Sequence, residues 1–303
     1  MNAPLQRPWR GETYHGRPAL KPAGFDWKVG AYIAVLGAAG AAQVVAGMSR
    51  LRGGCDETGL ARRARTFALV GSIIGPAILI GHLKTPQRWY NMLRIVRPQS
   101  PMSWGSWLLA AFGASSFASV VADRMGWRMA ADLAQGPATL TGAAMATYTA
   151  SLLSATSNPL WGAAPAPLAA AFGASSMASG ASALALMQRR AGDAQGARQL
   201  EQLAALSLAV EFLAMRTAEA RWREAGVMAP LEEGAPGMLH KGGGKALGMA
   251  VPAAAAMLGQ PALASAAIIA GSALMRQAVL RAGDASATRP ADYLRITQPE
   301  PVR

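Results

Sequence analysis

The sequence predicts an all-α polytopic membrane protein with about eight transmembrane helices, and three observations lead to that prediction. Of the 303 residues, 52% are hydrophobic and only 15% are charged, whereas soluble domains carry about 25% charged residues. Apolar runs of about 20 residues recur along the chain, and each is long enough to cross roughly 30 Å of hydrocarbon. Lys and Arg lie mainly in the short segments between these runs, where such residues set membrane orientation.

The first three predicted spans have distinct signatures. Residues 29–48 are uncharged and rich in Gly and Ala, and residues 67–83 form a second apolar run that ends near a histidine. The third span, residues 102–122, opens with Trp104 and Trp107, as interfacial anchors often do.

The remaining spans are less uniform. Residues 136–156 and 167–187 are separated by a proline-rich turn, and residues 200–215 form a shorter sixth span. Residues 246–275 are a single uncharged stretch, which the Gly-Gln-Pro sequence at 259–261 divides into two spans. One long span is the alternative.

Eight spans divide the chain into three regions and place both termini on one side. Residues 1–28 are polar and lack the apolar segment of a signal peptide, residues 29–281 form the membrane domain, and residues 282–303 are a polar tail. The side of the termini holds most of the Lys and Arg, which favours the cytoplasm, although five arginines between the first two spans favour the reverse.

Composition also excludes several functions. The net charge of +13 would suggest nucleic acid if the basic residues shared one soluble face, but they are spread between apolar runs. The single cysteine, Cys55, cannot hold an iron–sulfur cluster. Among three histidines only His82 lies in an apolar run, so a haem with two intramembrane histidine ligands is excluded. Any redox chemistry must therefore use an exchangeable or partner-held cofactor.

The segment between the second and third spans carries the most specific motif. It contains His82-Leu-Lys-Thr-Pro-Gln-Arg-Trp-Tyr-Asn-Met-Leu-Arg94, followed by Ser100-Pro-Met-Ser-Trp-Gly-Ser-Trp107. This segment closely resembles the polysulfide reductase membrane-subunit family, also called the NrfD family, in which Phe is usual at the position of Trp89. The resemblance extends to residues 14–22, residues 136–161 and residues 276–283.

The resemblance implies a fold and a function. Members of that family are eight-helix subunits of the bacterial cytoplasmic membrane, built as two four-helix bundles, which here would be residues 29–156 and 160–281. They exchange electrons between a quinone, menaquinone or ubiquinone, and a docked four-cluster iron–sulfur subunit that serves a catalytic oxidoreductase subunit. They bind no haem or cluster of their own, so the quinone is an exchangeable substrate.

Four residues are candidates for the quinone site. His82 can donate to a quinone carbonyl or shuttle protons because its unperturbed pKa lies near neutrality, but it could instead cap a helix end. Tyr148 could hydrogen-bond the second carbonyl or merely pack between helices. Ser103 and Trp107 could line the pocket, although interfacial tryptophans are usually anchors.

Glu211 and a group of basic residues have other candidate roles. An ionisable group within a span is costly and therefore suggests function, so Glu211 is predicted to relay protons together with His82. A neutral Glu211 bonded to Ser207, or a shallow interfacial one, are the alternatives. Partner docking is predicted for Tyr14, Arg17, Lys21, Lys84, Arg88 and Arg94. Lys84, Arg88 and Arg94 could instead hold a semiquinone anion or, equally, bind lipid headgroups.

A secondary transporter is the competing function. It is favoured by the eight spans, by prolines within spans, and by an internal repeat in which residues 170–179 resemble residues 110–119. Transporters place polar groups near the membrane centre in both halves, however, and Glu211 has no counterpart in the first half of the sequence. The repeat can also arise without duplication, because segments that pack helices together are commonly rich in Ala, Gly and Ser.

Overall fold

The computed structural model describes residues 20–51, 59–94 and 96–297, and within these ranges all regular structure is helical. Eight long helical segments run up and down in sequence, joined by turns and short helices. They are α1 (Trp27–Leu51), α2 (Leu60–Ile80), α3 (Pro101–Arg124), α4 (Arg128–Ser154), α5 (Pro165–Arg190), α6 (Ala194–Glu224), α7 (234–257) and α8 (Pro261–Ala287). Short helices occupy Pro86–Arg88, Asn91–Arg94, Pro159–Ala163, Ala229–Glu232 and Pro290–Thr297.

Five of the long helices have the length and hydropathy needed to cross a membrane. They are α1, α2, α3, α5 and α8, each with 21 to 27 residues. The other three, α4, α6 and α7, occupy the positions of predicted spans but are less apolar than these five. The chain is therefore an all-helical, multi-pass membrane protein.

The connecting segments gather on two faces because successive helices are antiparallel. The terminal face carries residues 20–26, 81–94, 96–100, 155–164, 225–233 and 288–297, and the opposite face carries residues 125–127, 191–193 and 258–260. Hydrogen bonds hold the terminal face together. Lys28 Nζ donates to the carbonyl of Gly81 at 2.9 Å, and Trp222 Nε1 donates to the carbonyl of Leu160 at 2.7 Å.

The largest buried apolar cluster contains residues from both halves of the chain. Phe112 and Met145 from the first half join Phe172 and Trp222 from the second half in one buried cluster. Helix α1 packs against α2 and α4 and also against α5 and α8. This continuity leaves the predicted division into two four-helix bundles unconfirmed.

Several helices extend beyond the predicted spans because their polar residues find partners inside the protein. Helix α4 begins at 128 rather than 136, and Asp132 in its first turns pairs with Arg50. Helix α6 covers 31 residues instead of 200–215, and its Glu201 pairs with Arg189 at 2.6 Å. These two helices are therefore longer than the predicted apolar spans.

The C-terminal helices also differ from prediction. Helix α7 begins at 234 rather than 246, and its residues Leu239–Ala250 form a π-helical segment. The chain turns at 258–260, where Gly259 adopts φ 67°, so the stretch 246–275 is two helices. Helix α8 continues to Ala287, past the predicted boundary at 281, because Asp284 accepts hydrogen bonds from backbone N–H groups of the N-terminal segment.

Candidate functional site

Asp26 connects the start of α1 with the loop that follows α2. Its Oδ1 atom accepts the backbone N–H groups of Lys28 at 2.9 Å and Val29 at 3.4 Å, which makes it the N-cap of α1. The same oxygen lies 3.0 Å from His82 Nδ1. An ionised carboxylate only accepts hydrogen bonds, so His82 Nδ1 carries the proton and Nε2 is left for exchange.

The charge of Asp26 favours this arrangement. Burial acts to raise the pKa of the Asp26 carboxyl, but the hydrogen bond and charge of His82 and the two backbone N–H groups together lower the pKa below its ordinary value of 3.8. The carboxylate is therefore ionised at neutral pH. Helix α2 ends at Ile80, so His82 lies in the turn beyond the helix, rather than within the span as predicted.

Ser103 and Trp107 lie together at the start of α3. They line a cleft of about 120 Å³ with Val96, Arg97 and Trp104. Its volume approaches the roughly 150 Å³ of a cavity that holds benzene in another protein, so it matches a single ring in size. Ser103 Oγ accepts the backbone N–H of Arg97 at 3.1 Å, which fixes the loop against the helix.

Tyr148 reaches the same end of α3 from α4. Its hydroxyl donates to the carbonyl of Pro101, and its ring packs against Gly105, where an added Cβ would lie 2.1 Å from the hydroxyl oxygen. Tyr148 is six residues before the end of α4, or about 9 Å from the terminal face. Because Tyr32 of α1 lies beside it, two tyrosines flank this part of the site.

The predicted docking residues are partly described. Lys84, Arg88 and Arg94 are exposed on the loop between α2 and α3, and Lys21 is exposed on the N-terminal segment. All four belong to the terminal face. The predictions for Tyr14 and Arg17 fall outside the described residues.

Glu211 lies deep in the protein, opposite a buried arginine. It is 4% exposed and stands about 20 Å from the end of α6 and about 25 Å from its start, which disagrees with a shallow position. The fully buried guanidinium of Arg276 and the hydroxyl of Ser175 face the Glu211 carboxyl. Ser207 donates instead to the carbonyl of Leu203 at 2.7 Å.

Helix α5 supplies most of the other hydrogen-bond partners of Arg276. Nη1 donates to Ser175 Oγ at 2.9 Å, and Nη2 donates to Ser176 Oγ at 2.8 Å and to the carbonyl of Phe172 at 3.0 Å. A further bond reaches Ser272 Oγ, and the guanidinium lies 5.3 Å from the centre of the Phe172 ring. A buried carboxylate, a buried guanidinium and several hydroxyls thus form one polar network between α5, α6 and α8.

A second buried carboxylate lies two turns further along α6. The side chain of Glu219 is fully buried, and its oxygens lie 3.0 Å from His240 Nε2 and 2.8 Å from Lys245 Nζ. Arg223 adds a contact at 3.3 Å. Both His240 and Lys245 come from the π-helical segment of α7, so this cluster attaches that segment to α6.

Sequence reasoning missed Asp26, Arg276 and the cluster around Glu219. Asp26 gave a usable signal, because an Asp directly before an apolar run is a common N-cap. Arg276 directly follows the last predicted span, so it was not considered as a buried charge and appeared only as part of the motif at residues 276–283. His240 was assigned to a polar loop, and its burial depends on ion pairs that the sequence does not reveal.

The fold is that of a multi-pass helical membrane protein in which His82, Ser103, Trp107 and Tyr148 lie toward the terminal face. The family model described as Polysulphide reductase, NrfD, matches residues 20–220, which is more than half of the chain. No curated protein gives a significant match. The chain therefore belongs to the NrfD family, whose members are membrane subunits of quinone-linked oxidoreductase complexes, and the predicted family is confirmed.

Proposed function

We propose that this chain is the quinone-reactive subunit of its complex and that all eight long helices cross the bacterial cytoplasmic membrane. The observation that carries the proposal is the grouping of His82, Ser103, Trp107 and Tyr148 at one face, inside the region that matches the family. Electrons would pass there between the quinone pool and a docked four-cluster iron–sulfur subunit, which serves a catalytic subunit. The chain itself would hold neither haem nor cluster.

The residues of the terminal face suit the chemistry of a quinone, which supplies two-electron, two-proton exchange when bound. His82 Nε2 can donate or accept a proton because Asp26 fixes Nδ1 as the protonated atom. The cleft beside Ser103 and Trp107 offers an apolar lining for a ring. Tyr148 donates its hydroxyl proton to Pro101, so its oxygen can accept a hydrogen bond from a quinol hydroxyl but is not free to donate to a quinone carbonyl.

The exposed cations of the same face suit an acidic partner surface. Lys84, Arg88 and Arg94 project from the loop that begins at His82, and Lys28 ties the start of that loop to α1. An iron–sulfur subunit bound there would bring its terminal cluster close to the quinone ring. We place this face and both termini in the cytoplasm, following the positive-inside rule.

Protons would pass through the interior of the second half of the chain. Glu211 and Arg276 lie near the middle of their helices, and Ser175 touches both. An intramembrane carboxylate with a single guanidinium partner can change its protonation state when the local charge changes. We therefore assign proton transfer to Glu211, with His82 as the group that exchanges protons at the face.

Purification of the native complex tests the proposal. We expect an iron–sulfur subunit to co-purify, quinone reduction or quinol oxidation to depend on this chain, and cross-links to the partner to fall on residues 20–28 and 81–101. The isolated chain should show no Soret band. Cross-links confined to the opposite face, or a Soret band that remains after removal of all partners, would contradict the assignment.

The transporter alternative predicts charged groups at the membrane centre of both halves. In the first half the buried charge is Arg65, which contacts Gln135 at 2.6 Å and Asp123 at 3.1 Å. This pair lies near the opposite face, because Asp123 is the penultimate residue of α3. Solute uptake by vesicles that contain only this chain would favour the transporter over a quinone-linked subunit.

A further inference from the structure

A long lateral groove separates α6 from the hairpin formed by α7 and α8. The groove encloses about 830 Å³ and is lined mainly by small and apolar side chains, among them Ala205, Ala209, Phe212, Ala253 and Ile268. It belongs to neither the site at the terminal face nor the Arg276 network. Any ligand of the groove would therefore be distinct from a quinone bound at the terminal face.

The groove has the length of one lipid leaflet. Along α6 the lining runs from Arg198 at the mouth to Phe212, and the eleven residues from Glu201 to Phe212 rise about 16 Å. Half of a hydrocarbon core of roughly 30 Å is about the same distance. An acyl chain that enters from the opposite face would therefore end near the middle of the membrane.

The mouth of the groove, at the opposite face, is positively charged. Arg189 and Arg198 line it together with Glu201, and Glu201 is bound by Arg189 through contacts of 2.6 and 3.0 Å. Within the part of the chain that the structure describes, Arg198 forms no ion pair and is exposed. One positive charge therefore remains uncompensated at this end.

Helix α8 begins at the same mouth. Pro261, its first residue, and Gly259 in the preceding turn both line the groove. The N–H groups of a first helical turn point toward the helix start and favour an anion there, which adds to the charge of Arg198.

We propose that this groove binds one anionic phospholipid, with its phosphate at Arg198 and the start of α8 and an acyl chain against α6 and α7. The charge at the mouth selects an acidic headgroup, and the apolar length accepts the chain. A neutral quinone ring would gain little from Arg198. The groove would then be a lipid site that fills the gap between α6 and the α7–α8 hairpin.

Photoactivatable lipids test the proposal in the native complex, reconstituted in nanodiscs. Phosphatidylglycerol and phosphatidylcholine with the same labelled acyl chain are compared, and labelled peptides are mapped. We expect phosphatidylglycerol to label peptides within residues 201–212 and 249–268. Arg198→Ala should lower that labelling about fivefold, as expected when one arginine at a lipid headgroup is removed.

Two matched variants separate groove filling from general effects. Ala253 and Ala254 are neighbouring exposed residues of α7, but only Ala253 lines the groove. Ala253→Trp should abolish labelling, whereas Ala254→Trp and Arg190→Ala should leave it unchanged. Equal labelling by both lipids, insensitivity to Ala253→Trp, displacement by a short-chain quinone analogue, or cross-linking of these peptides to a partner subunit would overturn the proposal.

Discussion

Replacement of Arg276 by Met should strongly destabilise the protein. The guanidinium is fully buried and donates to Ser175, Ser176 and Phe172, while its charge faces Glu211. Without Arg276, the serine hydroxyls can still donate hydrogen bonds to backbone carbonyls of their own helix, as Ser176 Oγ already does to Phe172 at 2.7 Å. The main cost is therefore the loss of the charge partner of Glu211, which amounts to as much as about 3–5 kcal/mol in the free energy of unfolding, and to less once the Glu211 carboxyl takes up a proton.

A double-mutant cycle isolates that pair. Glu211→Gln alone should cost a similar amount, because it leaves the Arg276 charge without its partner. If the two groups compensate each other, the double variant should lose no more than either single variant, rather than their sum of about 6–10 kcal/mol. Unfolding is followed by tryptophan fluorescence during titration with SDS in mixed micelles.

The matched control lies on the same helix. Arg281 of α8 is exposed, so Arg281→Met should change the free energy of unfolding by no more than about 0.5 kcal/mol. An Arg276→Met variant as stable as the parent, or a double variant whose loss equals the sum of the single losses, would refute the assignment of Arg276 and Glu211 as a compensating pair.

Two further predictions concern the terminal face. Gly105→Ala should destabilise the protein by about 1–3 kcal/mol because the added Cβ would overlap the Tyr148 side chain. Gly136→Ala should not destabilise it, because a Cβ added there would have no neighbour within 4 Å. Thermal unfolding compares the two variants. The lowered pKa of Asp26 means that its contribution to stability is present above pH 3.8 and is lost as the pH falls through the lowered value. Asp26→Asn should remove the loss of stability that accompanies protonation of Asp26 at low pH. If the stability of the variant falls with pH as that of the parent does, the Asp26 carboxylate and its contact with His82 do not contribute.

Sequence reasoning predicted where the helices lie but not where they end. Apolar runs located all eight segments, because the requirement for hydrocarbon-compatible length acts on local composition. It failed at the ends of α4, α6 and α7, where residues such as Asp132, Glu201 and Glu219 are paired with partners from other helices. Pairing between distant segments is a tertiary property that a local hydropathy pattern does not contain.

The candidate site was predicted in part for the same reason. Ser103 and Trp107 are one helical turn apart, so their common cleft follows from local spacing. Tyr148 meets the same helix end because α3 and α4 are antiparallel neighbours. The partner of His82, by contrast, comes from Asp26, which precedes it by 56 positions, and the partner of Glu211 lies on α8.

We propose that electrons leave or enter the quinone pool beside His82. The most direct measurement compares quinone-linked turnover with turnover using a soluble electron dye, in complexes that carry His82→Ala or, as an exposed and uncharged control on the same loop, Gln87→Ala. We expect His82→Ala to impair the quinone reaction while it leaves the dye reaction and assembly intact, and we expect Gln87→Ala to retain quinone kinetics. Unchanged quinone kinetics in a fully assembled His82→Ala complex would contradict the proposal.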